Sequence, residues 1–431
     1  MISKETLRNV LADCRDQVMT AKVTPRNFVF DDGFNYVFTG IRRAGKSYLL
    51  YQRINQMLSN GFGWKDLMYI SFEDERLGGM TSDDLNLLLE VHLEKYGTKP
   101  MLFLDELQDI EGWEKFARRL ADSHYRVYIT GSNAKALSSE INTTLGGRYM
   151  EIDVYPYSFD EYIEAEGIVR TPEDLDSTLS RANLYRHLGS YLQFGGLPEV
   201  RTVTLKKQYL TSIYQKIYLG DICARHKIDN VMALRLLIKK TAESVTKPIS
   251  YNRMKNMLTG IGVKAGTQTV INYIGYAQEA CLLRYLCNWS ARFVDRETNK
   301  KYYFMDNGIL KLFFTENNGA MLENMIAMTL IRKYGWDEEN PAVWYNLSDD
   351  CELDFYIPEE GLAIQSCWTL NGGDGEVFDT VNRETDALAV SAARLNTKHN
   401  LIVTYEEDKE ITVGDIRIRV VSLLRWLTEM R

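Results

Sequence analysis

The sequence predicts an α/β protein of several domains, led by a phosphate-loop domain built on a parallel sheet. Three observations carry this expectation. Residues 40–47 read GIRRAGKS and fit the Walker A spacing G-x-x-x-x-G-K-S. Residues 101–106, MLFLDE, run four apolar residues into Asp105 and Glu106, the pattern of a buried parallel strand with acids at its carboxyl end. Residues 125–133, YRVYITGSN, read as a further strand that ends in small polar residues.

Composition sets the frame. A length of 431 residues allows about two to four domains. With 45% hydrophobic residues, 26% charged residues and 8 prolines, the chain reads as globular without a long disordered linker. A net charge of -8 disfavours a uniformly basic nucleic-acid coat and leaves one local basic surface open. The 6 cysteines include no CxxC pair, so reduced thiols are expected, not a zinc cluster or disulfide framework. The first residues lack a signal-peptide core, and no apolar run has the length of a membrane span. The expected location is cytoplasmic, without a membrane partner.

Taken in order, residues 3–14 read as an amphipathic helix. Residues 28–38 place aromatic and β-branched residues around Asp31-Asp32-Gly33, a hairpin that delivers the chain into the loop. A strand at 35–39 and a helix from Ser47 put the loop amides at a helix N-terminus, an anion cradle. Gly40, Ile41, Arg42, Arg43, Ala44, Gly45, Lys46, Ser47 and Tyr48 are the candidate phosphate-binding residues. Lys46 is expected to reach the β- and γ-phosphates of ATP, and Ser47 to hold Mg2+. The base choice, ATP over GTP, rests on the lack of an N-K-x-D motif.

Residues 64–72 read as a strand, with Glu73-Asp74-Glu75-Arg76 at its ligand-binding end. Residues 85–95 read as a helix. Asp105 is expected to orient the Mg2+ shell and Glu106 to position or activate the attacking water. Trp113, Phe116 and Leu120 form one stripe of a helix over 111–120. Asn133 or Ser132 is placed to sense the γ-phosphate, the alternative being a helix cap.

As a set, GIRRAGKSYLL, FEDER, LFLDELQDI, TGSNAKALSSEI, GGRYMEIDVYPYSFDEYI and FGGLPEV, all within residues 40–200, resemble prokaryotic ATPases of the AAA+ superclass that carry a poorly characterised C-terminal domain. The resemblance implies self-association and an arginine that faces a nucleotide across a subunit boundary. Arg148, in Gly146-Gly147-Arg148, is the family-like place for that finger, in cis or in trans, with Arg118-Arg119 as second choice. Arg42 and Arg43 either meet phosphate or pair with Glu73 and Asp74. The FGGLPEV segment is expected to pass the nucleotide state onward. The expected domains are an AAA+-like ATPase at 1–196, a helical and winged-helix domain at 197–315, and a degenerate restriction-endonuclease-like domain at 316–431.

In the middle, Ser158 and Glu161 fit a capping box, and helices are expected at 177–192, 208–218, 231–244, 249–258 and 266–280. Strands at 282–286 and 300–304 complete a winged-helix pattern. Lys264, Gln268, Thr269, Asn272 and Tyr273 are its candidate DNA contacts; the helix is poor in Arg and Lys, so a protein partner stands beside DNA.

At the C-terminal end, a helix holding Glu323 precedes strands at 342–345, 351–357 and 361–367. This order resembles a restriction-endonuclease-like core, whose activity needs Asp, then E-x-K on the next strand, around a divalent metal. Glu323 and Asp354 fit; Gln365 and Cys367 stand where Glu and Lys belong. Glu323, Asp354 and Gln365 form a weak second metal-site candidate, and the domain is expected to serve binding. Arg383 is expected to pair with an acid of that cluster. Residues 401–405 and 416–421 read as strands, 406–410 as a charged turn. The activity these features point to is magnesium-dependent ATP hydrolysis coupled to nucleic-acid or protein binding. The alternatives are a nucleotide-gated module with little turnover and, behind it, a metal-dependent nuclease.

Overall fold

The computed structural model describes residues 2–132, 145–348, 351–370 and 376–430. The chain divides into two compact units, 1–155 together with 278–281, and the remainder of 156–431. Among the described residues no helix is long and apolar enough to cross a membrane.

The first unit is a parallel sheet of β1 (Asn35–Thr39), β2 (Leu67–Ser71), β3 (Met101–Asp105), β4 (Val127–Gly131) and β5 (Tyr149–Asp153), in the order β2-β3-β4-β1-β5. It carries helices α1 (Lys4–Thr20), α2 (Lys46–Ser59), α3 (Asn86–Tyr96) and α4 (Trp113–Asp122). The inner strands β1, β3 and β4 carry apolar runs because both their faces are covered: Val37, Phe38, Leu102, Phe103, Leu104 and Ile129 are all buried, whereas the edge strand β5 is only partly so. In α4 the expected stripe, Trp113, Phe116 and Leu120, faces inward. Since all five strands run the same way, the residues after β1, β2, β3 and β4 converge on one edge. There β4 lies between the strand that enters the phosphate loop and the strand that ends in Asp105.

Two expectations are corrected here. Residues 28–34 do not pair as half of a hairpin. Phe28 and Phe30 pack edge-on against Tyr36 and Phe38, and the Asp31 N–H donates to the Tyr36 hydroxyl at 2.8 Å, so rings and not ladder bonds hold this segment. The first unit also closes at Tyr155, whereas the glycine pair suggests a boundary at 196. Residues 156–196 pack with the rest of the second unit: the Tyr157 N–H donates to the Gly196 carbonyl at 2.7 Å, and the Gly196 N–H donates to Asp306 at 2.7 Å.

The second unit opens with α5 (Phe159–Ala165), whose Ser158–Glu161 capping box is formed, and α6 (Thr178–Phe194). Next come α7 (Lys206–Gln215), running into a π-helical stretch at Lys216–Ala224, then α8 (Val231–Glu243), α9 (Tyr251–Gly260) and α10 (Thr267–Glu279). A small antiparallel sheet, β6 (Ile249–Ser250), β7 (Leu283–Leu286) and β8 (Asn299–Phe304), has the order β6-β8-β7. A short helix, α11 (Phe293–Thr298), joins β7 to β8 where a simple turn was expected.

After α12 (Asn307–Leu310) and α13 (Asn318–Tyr334) comes a mixed six-stranded sheet, ordered β13-β14-β12-β11-β10-β9. Its strands are β9 (Trp344–Ser348), β10 (Cys351–Ile357), β11 (Leu362–Ser366), β12 (His399–Thr404), β13 (Lys409–Val413) and β14 (Ile416–Ser422), with α14 (Glu376–Leu395) and α15 (Leu423–Glu429). The segment read as a charged turn at 406–410 runs into β13, an edge strand antiparallel to β14. No β13 side chain is buried, and its apolar alternation is confined to Ile411 and Val413, too short to mark a half-buried strand.

Candidate functional site

The phosphate loop leaves β1 at Thr39 and enters α2 at Lys46. Gly40 is obligatory on steric grounds: a Cβ there would lie 2.2 Å from the Val154 carbonyl oxygen. Gly45 caps α2 with φ 97°, a left-handed conformation that favours glycine. The helix ladder begins with the Leu49 N–H on the Gly45 carbonyl, so the amides of Lys46, Ser47 and Tyr48 precede it at the positive end of the helix dipole. Lys46 is almost fully buried, and its ammonium donates to the Gly40 carbonyl at 3.1 Å and stands 3.4 Å from Glu106 Oε1. Arg42 pairs with Glu73 at 3.1 Å, the second of its two expected roles.

The acids of β3 sit beside this loop. Asp105 is 3% exposed and is met by three hydroxyls: Thr130 on Oδ1, Tyr69 on Oδ2 at 2.9 Å, and Ser47. Burial and the neighbouring Glu106 charge push its carboxyl up to about 6, against the pull of those three donors. Behind Tyr69 stands Tyr51, the two hydroxyls 3.1 Å apart. Glu106 adopts φ 54°, unusual for a residue with a side chain, and its N–H donates to the Thr130 hydroxyl at 2.9 Å. Burial opposes its charge, yet Lys46, Gln108 and Arg42 outweigh burial and hold the carboxyl below its ordinary range. Gln108 Nε2 donates to Oε2 at 2.5 Å.

Tyr69 and Thr130 were missed as parts of the site. Both look like ordinary strand residues in sequence, and only the ladder register brings them to Asp105. Asn133 lies outside the described residues. Its neighbour Ser132 is 2% exposed, and its hydroxyl has no hydrogen-bond partner among the described residues. Arg148 stands at the opposite edge of the sheet. It precedes Tyr149, which pairs with Asn35 at the start of β1, a full five-residue strand from the loop. That separation is about 16 Å, so Arg148 does not reach the loop of its own chain. Its guanidinium pairs with Asp122 at 2.5 Å.

Residues 34–163 match a family described as AAA domain, and residues 185–318 match one described as a domain of unknown function (DUF8612). Over nearly its whole length the chain is similar to the uncharacterized protein MJ1544 of Methanocaldococcus jannaschii, 32% identical across 99% of this chain and 96% of that one. The chain belongs to that protein's family. An uncharacterized protein of Haemophilus influenzae is 30% identical over 93% of this chain and 95% of its own. Among solved structures, the Walker-type ATPase PABY2304 of Pyrococcus abyssi is similar at 13% identity and a TM-score of 0.40, covering 73% of this chain and 96% of that one, a likeness too slight to assign anything. This chain thus joins an AAA domain at 34–163 to a distinct domain of unknown function at 185–318.

In this member of the MJ1544 family the second candidate centre differs from the expectation. Glu323 on α13 and Asp354 on β10 do converge, but Lys301 of β8 lies between them. Its ammonium is 3.2 Å from Glu323 Oε1 and 2.9 Å from Asp354 Oδ1. Gln365 Oε1 does not face this space as a ligand; it accepts the Asp354 N–H at 3.2 Å. The weak metal site expected of Glu323, Asp354 and Gln365 is therefore corrected to a buried ion-pair cluster, because a cation of the chain itself fills it. Arg383 pairs with Glu384 at 2.6 Å and not with Glu323 or Asp354. Among the proposed DNA contacts, Lys264, Gln268 and Asn272 are exposed, whereas Tyr273 is buried in the unit's core.

Proposed function

We propose that the N-terminal unit binds ATP with Mg2+ and hydrolyses it. The observation that carries this reading is the convergence of Lys46, Ser47, Asp105 and Glu106 at one sheet edge, with Ser47 hydrogen-bonded to Asp105 and Lys46 3.4 Å from Glu106. A hydroxyl beside a carboxylate is a donor set that suits Mg2+, which keeps few protein ligands and takes the rest from phosphate and water. When bound, the ion neutralises charge on the β- and γ-phosphates. Phosphate oxygens would replace the Gly40 carbonyl and Glu106 as partners of Lys46. Thr130 and Tyr69 fix the Asp105 carboxylate toward Ser47. Glu106 would then orient the attacking water, and Asn133 would sense the γ-phosphate beside Ser132. Rate would arise from positioning and from fixed charge among the buried side chains of Lys46, Asp105 and Glu106.

Calorimetry of full-length protein with ATP and Mg2+ tests this reading. Wild type is expected to bind, and Lys46→Ala to lose most of that affinity. A folded wild-type sample with no affinity for ATP ends the proposal.

Arg148 is proposed to act on the nucleotide of a neighbouring copy, since its own loop lies a strand's length away. Arg148→Ala is expected to keep ATP affinity within a few fold while turnover drops about 10³-fold. Adding Lys46→Ala protein, which still presents Arg148, is expected to restore part of the lost turnover. Normal turnover in Arg148→Ala alone refutes the finger.

For the second unit, α8 to α10 with the β6-β8-β7 sheet are read as a winged helix that couples nucleotide state to nucleic acid or a protein partner. The six-stranded sheet with α13 and α14 is read as a degenerate restriction-endonuclease-like body. A nucleotide-gated module with slow turnover is the second reading, favoured by the Lys46–Glu106 pair, which engages the acid needed for hydrolysis. Turnover measured with and without nucleic acid separates the two.

A further inference from the structure

Among the described residues, the chain itself supplies close partners to the two acids that face Lys301. Lys301 lies on β8, the middle strand of the small sheet, and its side chain has no exposure. Tyr303 is two residues along, on the same face of the strand, and its hydroxyl donates to Glu323 Oε1 at 2.9 Å. That oxygen thus receives both Lys301 and Tyr303. Asp354 Oδ1 receives Lys301, while Oδ2 receives the Ser366 N–H at 3.0 Å and the Ser366 hydroxyl at 2.7 Å. The Gln365 side-chain oxygen is engaged by the Asp354 backbone. Burial alone would strip the ammonium of its proton, but Asp354 first and Glu323 second outweigh burial and keep it charged. Burial and Asp354 push the Glu323 carboxyl itself up to about 8, so Asp354 is the firmer counter-charge.

A restriction-endonuclease-like core implies a divalent metal between its acids, and these residues do not fit one. The volume between the carboxylates holds an ammonium, whose charge repels a second cation. The Gln and Cys at the third strand remove a ligand charge and the usual lysine. A lysine has instead come from β8, before α13 in the chain and on a different sheet.

We propose that the Lys301 ammonium replaces the divalent cation at this centre. It acts as a built-in counter-ion that clasps β8, α13 and β10 together, and the C-terminal body binds no metal there while Lys301 is present. The proposal does not depend on the nucleotide reading. It makes a specific demand: removing the ammonium without filling its space with charge should expose a latent metal site made of Glu323 and Asp354.

The test titrates Mn2+, followed by its electron paramagnetic resonance signal, into chelator-stripped, nucleotide-free full-length protein. Wild type is expected to show no Mn2+ binding that Asp354→Asn removes. Lys301→Met is expected to gain a site at least about tenfold tighter than any in wild type, and Lys301→Met/Asp354→Asn to lose it. Asp354-dependent Mn2+ binding by wild type overturns the proposal, as does a folded Lys301→Met protein that gains no site. If Lys301→Met does not fold, thermal melting of wild type and Glu323→Gln with and without Mn2+ decides. No Mn2+-induced shift that Glu323→Gln abolishes supports the proposal, and such a shift overturns it.

Discussion

Glu106→Gln is expected to lower ATP turnover by about 10² to 10³-fold while leaving ATP affinity unchanged or slightly tighter. The substitution keeps the shape of the side chain and the backbone bond from Glu106 N–H to Thr130. What it removes is the negative charge, held below the ordinary carboxylate range by Lys46, Gln108 and Arg42 against the effect of burial. An amide orients water less strongly and accepts no proton. Meanwhile the ion pair at 3.4 Å that engages Lys46 is weakened, which frees the ammonium for phosphate. Single-turnover hydrolysis beside calorimetry separates the two effects. Turnover within a few fold of wild type would remove Glu106 from the mechanism and leave the slow-switch reading standing.

Asp306→Ala is expected to destabilise the second unit by at least about 3 kcal/mol. The Asp306 carboxylate is 3% exposed and caps α12. It accepts the N–H groups of Gly196 at 2.7 Å, Gly308 at 2.8 Å and Ile309 at 3.3 Å, and that of Leu197. Alanine leaves these buried donors without an acceptor, each lost partner costing about 1–3 kcal/mol and not strictly additive. The glycines explain why the brace fits: a Cβ on Gly195 would lie 2.0 Å from Asp306 Oδ1, and one on Gly308 2.2 Å from the Phe194 carbonyl. Urea unfolding measures the effect, and a loss below about 1 kcal/mol would show that the carboxylate is not what holds the FGG segment.

The same group makes stability depend on pH. Burial pushes the Asp306 carboxyl up to about 6 from an ordinary 3.8, despite the four N–H donors. The folded protein then holds a proton that the unfolded chain has released, so this group's contribution falls as pH rises between those values. Relative to Asp306→Asn, wild type is expected to gain stability as pH drops from about 6 toward 4.

The phosphate loop and the β3 acids were legible because their chemistry is local. Gly40 is needed where a Cβ would strike Val154, Gly45 where the backbone turns left-handed, and an apolar run ending in Asp105 announces a buried strand. The hairpin at 28–38 was misread because alternating aromatics signal a strand equally well when they seal a loop. β13 is faint in sequence because its apolar period is only Ile411 and Val413, neither of them buried. In sequence Lys301 is one more residue of the expected strand at 300–304, beside Lys300. In the fold Lys300 lies 3.9 Å from the Tyr285 ring centroid and 3.5 Å from Glu297, while Lys301 faces the acids.

Local sequence thus determined the glycine loop before α2, the acidic strand end and the helix and strand periods, because these depend on backbone conformation and on neighbours within a few residues. The tertiary structure alone decided which polar groups close around Asp105, which edge of the sheet carries Arg148, and what cation sits between Glu323 and Asp354. The physical reason is that a buried charge is tolerated only beside its counter-charge. Here the partners of Lys301 lie 22 and 53 residues away in the chain, so no short stretch of sequence contains the pair.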